Sequence, residues 1–182
     1  MLTTVIEAAL SAGKEILKVY NTAFEVENKA DNSPLTRADQ EAHRVIVEHL
    51  QPLGIPILSE EGKHLPFEER KNWEQLFIVD PLDGTKEFIK RNGEFTVNIA
   101  LIKNGKPVLG VIYVPVQDKM YFAQEEYGAF VMPEASVCPI PVKNWIGCTA
   151  KELPLQTLPE TVTVVGSRSH ASPETDTYIK EL

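Results

Sequence analysis

The sequence predicts a layered α+β fold that passes into an α/β unit near its C-terminus. Two stretches within the first fifty residues are apolar at helical spacing. A series of short strands follows from about residue 55, with an Asn-Gly turn between two of them. After a proline-rich stretch, one strand and one helix begin a new pattern.

Leu2, Val5, Ile6, Ala9, Leu10, Gly13, Ile16, Leu17 and Tyr20 recur every three to four positions, which predicts a helix over 2–20. Residues 28–35 are polar and proline-broken and read as a loop. Thr36-Arg37-Ala38-Asp39 fits a capping-box start to a second helix, whose apolar face is Ala38, Ala42, Val45, Ile46 and Leu50 and which Pro52 and Gly54 end. Ile55 to Leu58 is a short strand delivering Ser59, Glu60 and Glu61, and residues 63–75 are a charged connection. Residues 76–80 form a strand, Pro81 turns the chain, and Gly84-Thr85 opens a helix. Phe95 to Ile102 and Val108 to Val114 flank Asn104-Gly105, a strong hairpin signal. Lys119 to Ala123 and Ala129 to Met132 continue the meander. Pro133, Pro139, Pro141, Pro154 and Pro159 interrupt the next stretch, which places a linker near 135–150. Thr161 to Val165 reads as a strand and the residues from about 173 to Leu182 as a helix. The expected division is an N-terminal α+β domain over 1–140 and the start of an α/β domain over 141–182. One strand and one helix cannot bury two faces by themselves, so the second domain is expected to be incomplete here.

Bulk properties narrow the function. The 182 residues are 43% hydrophobic and 24% charged, as in ordinary soluble domains. A net charge of -8 and the lack of a basic stripe argue against a nucleic-acid polymer as partner. An anionic small molecule remains compatible, because a bound divalent cation reverses the local field. Cys138 and Cys148 match no metal motif and favour reduced thiols in a cytoplasmic protein. The N-terminus lacks a signal-peptide pattern, and no apolar stretch approaches the ~20 residues of a membrane span.

The chemistry concentrates at the ends of apolar runs. Leu76-Phe-Ile-Val79 ends in Asp80, and Asp83 follows beyond a proline; Glu60 and Glu61 end the preceding strand. Any one of these carboxylates could be a solvated loop residue, and Asp83 could cap a helix. Together they suit Mg²⁺, which takes oxygen ligands and keeps several waters. Leu82 can give its carbonyl, Gly84 admits close backbone approach, and Thr85 offers a hydroxyl. Helix-start N–H groups suit a phosphate. Asp39 either completes the capping box or accepts a hydrogen bond from Thr85 and helps orient a water. No G-x-x-x-x-G-K-[ST] or G-x-G-x-x-G motif is present. The three-residue separation of the aspartates speaks against an aspartyl-phosphate intermediate. Lys86, Lys90 and Arg91 either add positive field or are solvated helix charges. His43 and His49 read as surface or packing residues, His64 as solvated, and Phe88 and Phe95 as core.

Glu60-Glu61 followed by Asp80-Pro81-Leu82-Asp83-Gly84-Thr85-x-x-Phe88 resembles the signature of the inositol monophosphatase superfamily of lithium-sensitive, magnesium-dependent phosphatases. Residues 29–39, Asp80 through Ile102, and Gly166-Ser167-Arg168-Ser169-His170 are similar to its bacterial 3'(2'),5'-bisphosphate nucleotidase branch. The resemblance implies a sugar-phosphatase-like fold of alternating helix and sheet layers, with a nucleotide-binding C-terminal domain. It implies Mg²⁺ held by Glu60, Asp80, the Leu82 carbonyl and Asp83, and a water activated by Asp39 with Thr85. Glu60, Leu82, Asp83, Gly84 and Thr85 would line the substrate, the Gly84 and Thr85 N–H groups holding the scissile phosphate, and Ser167 and His170 would contact the nucleotide. The implied reaction is hydrolysis of adenosine 3',5'-bisphosphate to AMP and phosphate, supporting sulfate assimilation, in the cytoplasm or peripherally at the inner membrane. An inositol or sugar monophosphatase of the same superfamily is the alternative. The family also carries a metal-binding aspartate in a Trp-Asp pair. Here Trp73 precedes Glu74 and Trp145 precedes Ile146. The third expectation is therefore a catalytically impaired fragment that keeps the fold, with little turnover from these 182 residues alone.

Overall fold

A computed structural model describes residues 1–22, 26–28, 34–137, 150–155, 164–165 and 172–181. Helix α1 spans Leu2–Tyr20 and α2 spans Arg37–Leu50, as their apolar periodicity requires. A 3₁₀ turn, Gln51–Leu53, follows α2 and is closed by Gly54 in the left-handed region. Between the helices, β1 (Val26–Asn28) and β2 (Pro34–Thr36) pair antiparallel, so the ends of the expected 28–35 loop are laddered. Pro34 opens its strand, a position that tolerates a missing N–H. The side chain of Thr36 lies outside the described residues.

The remaining strands are β3 (Ile57–Ser59), β4 (Gln75–Asp83), β5 (Thr96–Lys103), β6 (Lys106–Val114), β7 (Lys119–Gln124), β8 (Gly128–Pro133) and β9 (Lys151–Glu152). They form one sheet in that order, β3 parallel to β4 and the other neighbours antiparallel. Asn104 and Gly105 both take positive φ (50° and 73°), the backbone a type I′ hairpin between β5 and β6 demands. The charged connection between β3 and β4 contains a one-turn helix, α3 (Phe67–Arg70), that apolar periodicity does not reveal. Pro66 precedes it and Glu68 and Glu69 occupy its first turn, which favours a helix N-terminus.

Helices α1 and α2 cover one face of the sheet. Phe77, Val79, Val97, Ile99, Val111, Tyr113, Met120 and Phe122 point at them and are buried, while Ile78, Ile112 and Tyr121 on the other face are exposed. Close approach uses small residues: the Tyr113 ring occupies the space a Cβ on Gly13 would need. After β4 comes α4 (Thr85–Lys90), whose Phe88 packs with Tyr20 and Phe95 at ring separations of 5.1–5.2 Å.

The C-terminal part differs from the expected division. β9 lies past residue 141, yet it pairs with β8 and extends the first sheet. Val164 and Val165 carry no regular structure, and 161–163 lie outside the described residues. The final helix, α5, spans Pro173–Glu181. Cys138, Cys148, Ser167, Arg168 and His170 also lie outside the described residues.

Candidate metal and phosphate site

Two registers assemble the site. Ser59 pairs with Val79 in the parallel β3–β4 ladder, and the Glu60 N–H donates to the Val79 carbonyl at 3.1 Å. Glu60 is thereby delivered beside Asp80. In the β4–β5 ladder, Asp80 pairs with Asn98 and Asp83 with Thr96, so three steps along β4 match two along β5. This is a β-bulge with one extra residue. In a regular strand, residues three apart face opposite sides. Thr96 and Asn98, two apart, share a face, so their partners Asp83 and Asp80 share it too. The bulge thus converts an awkward spacing into a convergent pair of carboxylates. It also corrects the expectation that Pro81 turns the chain: β4 runs on to Asp83 with Pro81 inside the bulge, where a ladder N–H is dispensable.

The carboxylates differ in exposure. Glu60 and Asp83 are exposed, and Asp80 is half-buried between them. Burial, reinforced by the Glu60 and Asp83 charges and opposed by a backbone hydrogen bond at Leu82, pushes the Asp80 carboxyl up to about 7. Glu60 also hydrogen-bonds to it. Asp80 Oδ1 is buried and lacks a hydrogen-bond partner, and so does Oδ1 of its cross-strand partner Asn98. Electron-rich oxygens left this way are costly unless a cation or donor faces them, so the residues present fit a divalent cation. Among the described residues no group of three His, Cys, Asp or Glu side chains makes a ready-formed cage. An open carboxylate edge is compatible with Mg²⁺, which uses one or two carboxylates and keeps water and phosphate oxygens as its other ligands.

Leu82 is buried by its side chain, and its carbonyl accepts the Thr85 hydroxyl at 3.3 Å. A hydroxyl carries one proton, so in this arrangement Thr85 does not donate to Asp39 at the same time. Asp39 lies in the first turn of α2 and is 2% exposed, the one buried charged residue among those described. Gly84 takes φ 95°, and a Cβ there would meet the Glu94 carbonyl at 2.9 Å. The close approach that requires glycine is to the chain's own backbone.

Two neighbours escape motif reasoning. His43 Nδ1 lies 2.8 Å from Ser59 Oγ, one residue before Glu60, and burial lowers the pKa of its ring against the opposing pull of Glu61. Asn98 Nδ2 donates to Asp83 Oδ2 at 3.2 Å. A polar side chain inside the apolar run from Val97 to Ile102, on the face away from the helices, was the available signal for Asn98. His49 bonds the Val45 carbonyl of its own helix, as a packing residue does, and His64 is exposed. Arg91 donates to the Tyr20 and Thr22 carbonyls and so ties down the end of α1, and Lys86 and Lys90 are exposed.

The raised Asp80 value has a stability consequence. A carboxyl whose value rises on folding, here from an ordinary 3.8 to about 7, contributes stability that is present below pH 3.8 and lost as pH rises through 7. Discounted for the open side of the site, the loss expected from this residue in metal-free protein between pH 4 and pH 8 is about 1–2 kcal/mol. Urea unfolding in chelator should show a shallower pH slope for Asp80→Asn than for wild type; equal slopes would contradict a raised Asp80.

The whole chain has known relatives. Residues 1–180 match the Inositol monophosphatase family. The 3'(2'),5'-bisphosphate nucleotidase CysQ of Escherichia coli O157:H7 is 47% identical over 186 residues, covering 100% of this chain and 69% of the relative. The crystal structure of CysQ from Bacteroides thetaiotaomicron, described as a bacterial member of the inositol monophosphatase family, superposes with a TM-score of 0.85 at 47% identity, covering 98% of this chain and 66% of that one. An IMPase/NADP phosphatase solved with Mg²⁺ and phosphate shares the fold at a TM-score of 0.56 and 24% identity, covering 64% of this chain and 44% of that one. The chain therefore spans about two thirds of the length of the CysQ proteins it matches, and it belongs to the inositol monophosphatase family.

Proposed function

We propose that the chain belongs to a magnesium-dependent phosphatase that removes the 3'-phosphate of adenosine 3',5'-bisphosphate, giving AMP and phosphate. The bulge that turns Asp80 and Asp83 to one face beside Glu60 carries the metal part of this reading, and the CysQ relatives support the substrate. Glu60, Asp80, Asp83 and the Leu82 carbonyl would hold Mg²⁺. When bound, it would supply Lewis-acid polarisation and a lowered water pKa. Glu60 and Asp83 face solvent, so a cation they hold would be open to an arriving phosphate. The Gly84 and Thr85 N–H groups at the start of α4 would orient the phosphate oxygens. Asp39 would accept the proton from the attacking water through Thr85, whose hydroxyl must first leave the Leu82 carbonyl. Ser167 and His170 would contact the nucleotide, in a C-terminal domain proposed to follow β9. A nucleotide clean-up role in sulfate assimilation and a cytoplasmic location complete the proposal. Among the described residues, no helix is long and apolar enough to cross a membrane.

Phosphate release from adenosine 3',5'-bisphosphate and from inositol monophosphate, compared in the same magnesium buffer, tests the substrate. A clear preference for the nucleotide is expected; a clear preference for inositol monophosphate would make this a sugar phosphatase of the family.

A further inference from the structure

We propose that Asn98 is a fourth side chain of the cation site, its amide oxygen completing the acceptor set that Glu60, Asp80 and Asp83 begin. The inference deepens the metal reading above and rests on it.

The ladder first places Asn98 directly opposite Asp80, on the face that Asp83 shares. The orientation of its amide is then fixed chemically. Asp83 Oδ2 is a carboxylate acceptor, so the atom 3.2 Å from it is the NH₂ group, and the oxygen must point the other way. That oxygen is buried without a hydrogen-bond partner, as is Asp80 Oδ1 across the ladder. The two oxygens sit on paired residues, and neither is satisfied by the other. What both need is a positive centre or its bound waters. The surrounding strand offers no other reason for the residue: Val97 and Ile99 point into the core, and an apolar side chain at 98 would leave no unpaired oxygen. Asn98 is a positioning residue toward Asp83 and an oxygen donor toward the cation.

Titration calorimetry with Mg²⁺ alone, alongside urea unfolding of the metal-free protein, tests this without relying on turnover. Asn98→Leu should weaken Mg²⁺ binding by about tenfold or more, as loss of groups that orient metal ligands does, while leaving metal-free stability equal or higher because a buried unpaired oxygen has gone. Asn98→Asp keeps an oxygen at the site but loses the donor to Asp83, and at pH 8 it should bind Mg²⁺ no more weakly than wild type. Unchanged affinity in Asn98→Leu, or weakened affinity in Asn98→Asp, overturns the role of the oxygen while leaving the carboxylate site standing. Absence of Mg²⁺ binding by wild type would overturn both.

Discussion

Asp83→Asn is expected to lower magnesium-dependent phosphate release by a factor on the order of 10² to 10³, because it would loosen the cation proposed to stabilise transition-state charge. The substitution is nearly isosteric and the side chain is exposed, so folding should be insensitive to it, within about 0.5 kcal/mol. The new amide oxygen can still accept the hydrogen bond from Asn98 Nδ2. What disappears is the charge at the mouth of the site, where cation and phosphate are proposed to meet. Initial rates over a magnesium series separate the possibilities. A loss that saturating magnesium cannot restore fits a ligand that also positions substrate, and unchanged rates would remove Asp83 from the site.

Gly84→Ala should cost about 3 kcal/mol or more in urea unfolding. Two effects add. At φ 95° an L-residue carries strain of about 1–2 kcal/mol. Its Cβ would also press on the Glu94 carbonyl at 2.9 Å and Phe95 Cα at 3.3 Å, both backbone atoms that cannot swing away, and overpacking of this kind costs about 1–3 kcal/mol. Gly54 is the matched control: it takes φ 68°, and a Cβ there would meet nothing within 4 Å, so Gly54→Ala should cost only about 1 kcal/mol. Equal losses at the two glycines would mean that conformation alone, and not the close approach of the Glu94–Phe95 backbone, fixes Gly84. Because Gly84 links Asp83 to Thr85, any relief of the clash must move both site residues, and Mg²⁺ affinity should fall along with stability.

Local sequence carries some of these features and not others. The helices and their buried faces were legible because a 3.6-residue period is a local signal, and Asn104-Gly105 named its hairpin because two positive φ angles leave few residue choices. Glu60, Asp80 and Asp83 were legible as chemistry. Their convergence was not, because it depends on the β4–β5 register, a non-local pairing, and on an extra residue that makes three steps match two. Pro81 misled for the same reason: a proline that looks like a turn is tolerated where the ladder is already broken. The His43–Ser59 and Asn98–Asp83 hydrogen bonds join residues 16 and 15 apart and leave no spacing signature. β9 escaped because its two residues, Lys151 and Glu152, have no apolar run; only pairing with β8 makes them a strand. The short α3 was masked by its charges, which are themselves what a first turn favours.

Assembly of a divalent-cation site from Glu60, Asp80 and Asp83 by the β4 bulge is tested most directly by calorimetry. Mg²⁺ is titrated into the wild-type chain and into Asp80→Asn at pH 8. Saturable binding by wild type that Asp80→Asn loses or weakens by at least about tenfold is the predicted result. Equal binding by the two proteins, or none by wild type, would contradict it.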